Sequence, residues 1–326
     1  MFKPKSLLIG IGVAAGLAGS AAAYEPGVHE ATRTGITLGV PAGASPPPGL
    51  YLNLNTFYYD VNIVDRNGKN SGIHDTTAAP TAIVMWVPGW QLFGAAFNAY
   101  VAQSFVWNTA ELRPTDTLIR DELGLHNTFV SPINLSWTLG NGWFTSVGFG
   151  FYAPTGTVTD ALAVLPPTAG TGGPGLDFWT FQPRWAVTHL GSSYNFTANL
   201  YYEINTKNRR SEYTSGDVFY ADVTLTRKIG KFEVGPVAAV MLQTTGDTDP
   251  LGLYTTPPFD PIGDRRSKQV ALGALFGYDF GPMKLNLIVT ADAYARSTGS
   301  GWQAMTNWSV PLWTPAPAAK PALLRK

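Results

Sequence analysis

The chain has 326 residues, no cysteine, and 22 basic against 22 acidic side chains, which excludes disulfides, thiolate metal sites and a basic nucleic-acid surface. Only 13% of its residues are charged, against roughly 25% in a soluble globular protein, while aromatics make up 13% and glycines number 35. No internal segment holds 18 consecutive apolar residues, so spanning helices are excluded and a closed sheet is left as the way to sit in a bilayer.

Residues 1–23 have the form of an export signal. Lys3 and Lys5 supply the positive start, Leu7 to Gly19 the apolar stretch, and Ser20-Ala21-Ala22-Ala23 the small residues that signal peptidase reads, with cleavage expected after Ala23. The apolar stretch is shorter than the roughly 20 residues a spanning helix needs. Without Lys3 and Lys5, 303 residues remain, with 20 basic and 22 acidic side chains and a net charge near −2. The absence of cysteine rules out a lipoprotein anchor.

Residues 24–47 end in the stiff run Pro46-Pro47-Pro48 and admit two readings. They form either a plug folded into a lumen, as in the long-chain fatty acid transporters, or a disordered periplasmic segment. The dominance of Gly, Pro, Ala and Ser favours disorder.

From residue 48 to 313 the recurring pattern is alternation with period two, the signature of strands with two different faces. Tyr194 to Asn205 shows it best: Tyr194, Phe196, Ala198, Leu200, Tyr202 and Ile204 share one face, and Asn195, Thr197, Asn199, Glu203 and Asn205 the other. Twelve strands are predicted over Pro48–Ile63, Thr81–Pro88, Leu92–Trp107, Glu122–Trp137, Gly142–Ala153, Asp177–His189, Tyr194–Asn205, Gly216–Arg227, Lys231–Gln243, Lys268–Asp279, Met283–Tyr294 and Trp302–Trp313. The fold class expected is therefore all-β, a transmembrane antiparallel up-and-down β-barrel of about 12 strands in a Gram-negative outer membrane. Residues 314–326, rich in Pro and Ala, read as an extension past the last strand.

The connections supply an independent signal. Short turns at Gly89-Trp90, 139–141, 190–193, 228–230 and 280–282 alternate with longer polar loops at 64–80, 108–121, 154–176, 206–215 and 244–267, followed by a moderate one at 296–301. That asymmetry belongs to outer-membrane barrels, whose periplasmic turns are tight. Trp90, Phe93, Trp137, Trp143, Tyr194, Phe232 and Trp313 fall beside the short turns, and Trp107, Tyr152, Trp179, Tyr202, Phe219 and Trp302 near the long loops, which predicts two aromatic girdles. Pro183 and Pro236 interrupt strands and are expected either at bulges or at a shifted strand limit.

Read consistently, the alternation sends Thr180, Gln182 and Arg184 into the lumen, with Asn199, Glu203, Asp222, Thr224, Glu233, Asp279 and Asp292. Charge at mid-depth on the lipid face would cost roughly 2–4 kcal/mol for Arg or Lys. Gln182, Arg184, Asn199, Glu203, Asp222, Thr224, Asp279 and Asp292 are thus the candidate pore-lining set, with Arg184 expected opposite Asn199 and near Glu203 and Asp222. They line a pore or form a salt-bridged network that fills a small lumen.

Several blocks resemble one family. They are Pro46-Pro47-Pro48-Gly49-Leu50-Tyr51 before the first strand, Pro154-Thr155-Gly156 after the fifth, Asp177-Phe178-Trp179-Thr180-Phe181-Gln182-Pro183 opening the sixth, and Asn205 with Tyr213-Thr214-Ser215-Gly216-Asp217 around the fourth long loop. In order and spacing the chain resembles, from about Pro46 to Trp313, the exported transporter family "MetA-pathway of phenol degradation" with its SphA-like members. The loop Asp160 to Pro174 departs from that family's usual Asn/Gly-rich spacer. The resemblance implies an outer-membrane barrel for uptake of aromatic or otherwise hydrophobic compounds, without catalysis.

The inventory carries no enzyme site and no cofactor or metal is expected. Only His29, His74, His126 and His189 could serve a hydrolase, and no nucleophile elbow occurs. Residues 170–175 are glycine-rich but lack the lysine and helix of a phosphate loop, and Gly246-Asp247-Thr248-Asp249 and Asp65-Arg66-Asn67-Gly68 lack full calcium-loop spacing. Trp107, Trp179, Tyr254 and Phe259 are candidates for capturing an apolar substrate at the outer mouth. Expected partners are outer-membrane lipids and lipopolysaccharide, the barrel-assembly machinery and a small hydrophobic substrate, with no nucleic acid. The alternative is a structural or adhesive surface barrel without transport.

Overall fold

A computed structural model of the chain describes residues 24–159, 173–254, 266–281 and 283–315. Its strands are β1 Gly49–Val64, β2 Asn70–Val87, β3 Gln91–Leu92, β4 Ala95–Leu112, β5 Thr117–Leu125, β6 Thr128–Gly140, β7 Trp143–Ala153, β8 Thr180–Leu190, β9 Tyr194–Asn205, β10 Val218–Ile229, β11 Phe232–Gln243, β12 Lys268–Asp279, β13 Lys284–Arg296 and β14 Thr298–Trp313. β3 is a two-residue ribbon on the turn into β4, and β5 and β6 lie end to end along β4, parted at His126 and Asn127. The wall therefore has the expected 12 members. Every neighbour pair is antiparallel, and β1 closes the ring on β14, from Leu50 opposite Trp313 to Val64 opposite Thr298. Among the described residues the ring of twelve is closed, which is what a spanning sheet requires.

Burial is inverted relative to a soluble protein. Asn98, Asn108, Gln182, Thr188, Asn199, Glu203 and Asp222 are buried, while Val147, Trp185, Leu225, Leu272, Phe276, Leu287 and Val289 are exposed on the wall's outer face. A bilayer solvates that face, and the polar side faces inward. On β9 the inward set is Asn195, Thr197, Asn199, Glu203 and Asn205, as expected, joined by Tyr201.

The strands on one side are longer than the alternation suggested. The segment 64–80, expected as a loop, is mostly strand, with only residues 65–69 connecting β1 to β2. Residues 108–121 likewise divide between β4 and β5 around a turn at 113–116, and Ser297 alone joins β13 to β14. The longest connections at the outer end are thus those between β7 and β8, β9 and β10, and β11 and β12. β1, β2 and β4 have 16, 18 and 18 residues, against the roughly 9–11 that cross a membrane, so their hairpins project beyond it. Polar residues such as His74 and Thr76, together with Pro80, hide this in the sequence.

The prolines do not sit at bulges. Pro183 keeps its place opposite Phe149 on β7, while pairing to β9 lapses between Phe181–Ile204 and Arg184–Tyr201 and resumes in the same register. Pro236 stays opposite Ala274 and leaves a gap toward β10 between Val237–Thr224 and Val234–Arg227, again without slippage. Each proline lacks a donor and so removes a rung from one ladder only. A register shift does occur between Val130 and Ile133, around Pro132. Tyr152 also departs from its expected place in the outer girdle: it points inward, its ring 4.7 Å from that of Phe129.

Candidate functional site

The lumen holds the chain's own residues 24–48. Tyr24 lies at the outer end, packed among Val28, Leu176, Phe178, Val218 and Tyr220, and donates its hydroxyl to Glu203. The Glu25 carboxylate accepts from Asn208 Nδ2 at 2.6 Å and from the Tyr254 hydroxyl at 2.8 Å. Burial pushes that carboxyl up from its ordinary value, against the downward pull of its hydrogen-bond donors. Further down, Leu38 is fully buried among Phe57, Val237, Leu275 and Ile288. Thr188 Oγ1 accepts from Gly43 N at 2.9 Å, and Ser136 Oγ donates to Gly43 O at 2.7 Å. Residues 46–48 then leave at the periplasmic rim, where β1 begins.

Successive turns, not a helix, carry the segment down: the amides of Ile36, Leu38 and Val40 each donate to the carbonyl three residues back in sequence, at 3.2, 3.0 and 3.1 Å. Gly39 allows this, with φ of +76° and an added Cβ only 2.7 Å from Leu275 Cδ1. Of the two readings of 24–47, disordered or seated in the lumen, these contacts correspond to the second. Composition could not report it, because the partners that satisfy the backbone come from the wall.

Seven of the eight candidate lining residues face inward, and most of them grip this segment. Gln182 Nε2 donates to Thr32 Oγ1 at 3.0 Å and to Glu203 at 3.1 Å. Asn199 Nδ2 donates to Thr37 Oγ1 at 2.9 Å, and Thr224 Oγ1 accepts from Gly39 N at 3.0 Å. Asp222 accepts from the amide and hydroxyl of Thr37. Asp292 instead ties strands together, accepting from Gln269 Nε2 and Gly301 N, each at 2.9 Å. Arg184 does not turn toward Glu203 and Asp222 but toward β4 and β6, donating to the Tyr100 hydroxyl and to Ser131 Oγ. Asp279 is a correction: it has inward parity but lies past the last lumenal rung, exposed at the periplasmic turn, where it accepts from Gly281 N at 2.7 Å.

The capture candidates separate likewise. Trp107 is 57% exposed on the outer face of β4, its indole N–H 3.2 Å from Asp121 Oδ1, and Trp179 stacks with Phe181 on the outer face of the wall. Tyr254 is fully buried and donates to Glu25, a placement that corrects its expected role in capturing substrate at the outer mouth. Phe259 lies outside the described residues.

Open space remains beside the segment. A cavity of about 790 Å³ runs between it and the wall of β1, β2, β4 and β6, from Ile119 and Arg120 at the outer end to Pro47 and Tyr51 at the periplasmic end. Its lining is predominantly apolar: Phe57, Tyr59 and Val61 from β1, Ala79, Ile83 and Met85 from β2, and Ile36 and Val40 from the segment. None of these was singled out from the sequence. The signal available was the failure of alternation in β1, where Phe57, Tyr59, Val61 and Ile63 face inward although Leu52 and Leu54 already supply an apolar outer face.

A closed ring of twelve antiparallel strands, apolar outside and polar at its lumenal contacts, is the fold of an outer-membrane β-barrel. The family described as "Putative MetA-pathway of phenol degradation" is matched over residues 76–308, and the chain belongs to it. Among solved structures, the chain is similar to the COG4313 outer membrane channel from Pseudomonas putida F1, at 12% identity and a TM-score of 0.65, covering 82% of this chain and 97% of that one. It is also similar to the translocator domain of autotransporter NalP from Neisseria meningitidis, at 11% identity and a TM-score of 0.43, covering 82% of this chain and 90% of that one. No curated protein matches it in sequence.

Proposed function

We propose that this outer-membrane barrel is a non-catalytic channel for passive uptake of small hydrophobic or aromatic compounds, exported through a cleavable signal in residues 1–23. The single observation that carries the reading is the apolar cavity of about 790 Å³ running the length of the lumen beside residues 24–48. Its volume is within the roughly 300–1,000 Å³ typical of sites for drug-sized ligands. Porins for hydrophilic solutes have polar, water-filled interiors, whereas the lining of β1 and β2 would desolvate an apolar solute at little cost. Much of the polar grip on residues 24–48 comes from β8 to β10 and β14, so the segment narrows the lumen while the lining of β1 and β2 stays open to the cavity.

The test is permeation. Proteoliposomes containing the full chain should take up an aromatic solute such as toluene-4-carboxamide faster than a sugar of similar size. Equal rates for both would remove the preference for hydrophobic solutes, and no permeation of either would replace this reading with a structural or adhesive barrel.

A further inference from the structure

We infer that Arg184 is the docking point for an acidic head group, so that the substrates favoured by this lumen are carboxylates on an apolar body, not neutral hydrocarbons. The inference rests on the uptake function proposed above and narrows its substrate class.

Among the described cations that line the cavity, Arg33 is paired with Glu30 at 3.2 Å, Arg120 lies 3.9 Å from Glu122, and Lys284 is paired with Glu233. Arg184 reaches no carboxylate among the described residues. Its Nη1 donates to the Tyr100 hydroxyl and its Nη2 to Ser131 Oγ at 3.0 Å, and its guanidinium carbon lies 5.2 Å from the centre of the Tyr100 ring and 5.7 Å from that of Phe129. These neutral partners orient the charge without cancelling it, and two acceptors leave three of the five N–H groups unassigned. Gly148, opposite Arg184 on β7, keeps the place clear: a Cβ there would come within 3.3 Å of Nη2.

A cation held away from water is costly unless it is paired. Arg184 is half-buried midway along β8, in a cavity whose lining is otherwise mostly apolar. A planar guanidinium fixed by two neutral hydroxyls and two ring faces is suited to the fork geometry of a carboxylate. Tyr100 adds to this, because its oxygen accepts from Arg184 and its own proton is left to donate to the ligand. Phe57, Ala79 and Ile83 offer the apolar surface for the rest of the molecule in the same cavity.

The experiment titrates octanoate and octanol into the full chain in lipid nanodiscs by calorimetry, with empty nanodiscs subtracted. The unsubstituted protein should prefer octanoate by about tenfold, the size expected for one desolvated ion pair, and Arg184→Gln should bring the preference to about one. Arg184→Lys, which keeps the charge but not the fork, should give an intermediate ratio, and Tyr100→Phe a smaller loss. An unsubstituted protein that binds octanol at least as well as octanoate would overturn the inference without any variant and leave the uptake reading standing. A ratio unmoved by Arg184→Gln in a folded, heat-modifiable barrel would overturn it equally. Binding of neither probe would remove the uptake reading itself.

Discussion

Asp222 on β10 holds Thr37 twice, accepting from its amide at 3.0 Å and from its hydroxyl at 2.6 Å, across 185 positions of sequence. The same carboxylate accepts from the Tyr201 hydroxyl at 3.2 Å, so one wall residue fixes the middle of the lumenal segment. A hydrogen bond to a charged group is worth about 1.5–3 kcal/mol net. Asp222→Ala should therefore loosen residues 35–39 from the wall while the strand ladder stays intact. The expected outcome is a noisier and larger single-channel current, with transient openings absent from the unsubstituted protein. A current trace identical to that of the unsubstituted protein would mean that the bonds to Thr37 do not limit the lumen.

Removing the segment altogether is the stronger version. Every rung that closes the barrel is made by residues from Gly49 onward, so deletion of residues 24–44 should leave a folded, heat-modifiable barrel. Conductance should rise several-fold, because Leu38 and its neighbours no longer fill the space between β1 and β11–β13. Thermal stability should fall, since Glu203, Asp222 and Asn199 lose partners in one step. Unchanged conductance would show that the segment does not narrow the path for ions.

The wall was legible in the sequence and the contents of the lumen were not, for a physical reason. Alternation is clearest in β9 and β10, where one face meets hydrocarbon and the other meets mostly polar groups, so Asn199, Asp222 and Thr224 could be turned inward from pattern alone. In β1 and β2 the inner face meets apolar space, and the pattern fades where the cavity is: Phe57 and Ala79 look like outward residues. The segment 24–48 has no periodicity at all. Its conformation is set by distant acceptors such as Thr188 Oγ1 and Asp222, which no local reading can supply. Arg184 was placed on the right face but with the wrong neighbours, because its partners Tyr100 and Ser131 come from strands further round the ring.

If the apolar lining carries solute, narrowing it should slow transport without disturbing the fold. Ala102 on β4 faces the cavity next to Phe129, and it has no role in gripping the segment. Ala102→Trp projects a large ring into the space shared with Tyr100 and Ile83. Uptake of the aromatic solute into proteoliposomes should fall several-fold, with heat-modifiable migration preserved. Uptake at the original rate would place the path elsewhere than beside β1, β2 and β4.

The outer face gives the complementary measurement. Leu272 on β12 is 51% exposed and points away from the lumen, with Ala271 and Gln269 fully buried on the other side. Arginine on the lipid face at mid-depth costs about 2–4 kcal/mol, falling toward zero near the interface. Leu272→Arg should therefore destabilise the barrel by that amount in equilibrium denaturant refolding into phospholipid vesicles. Ser104→Arg, whose side chain enters the cavity from β4, should cost much less because it does not meet hydrocarbon. The comparison isolates the solvent on each side of the wall, since both substitutions add the same side chain to a strand interior. Equal penalties at the two positions would mean that the face carrying Leu272 does not contact lipid, and the inversion of inside and outside on which the uptake reading depends would fail with it.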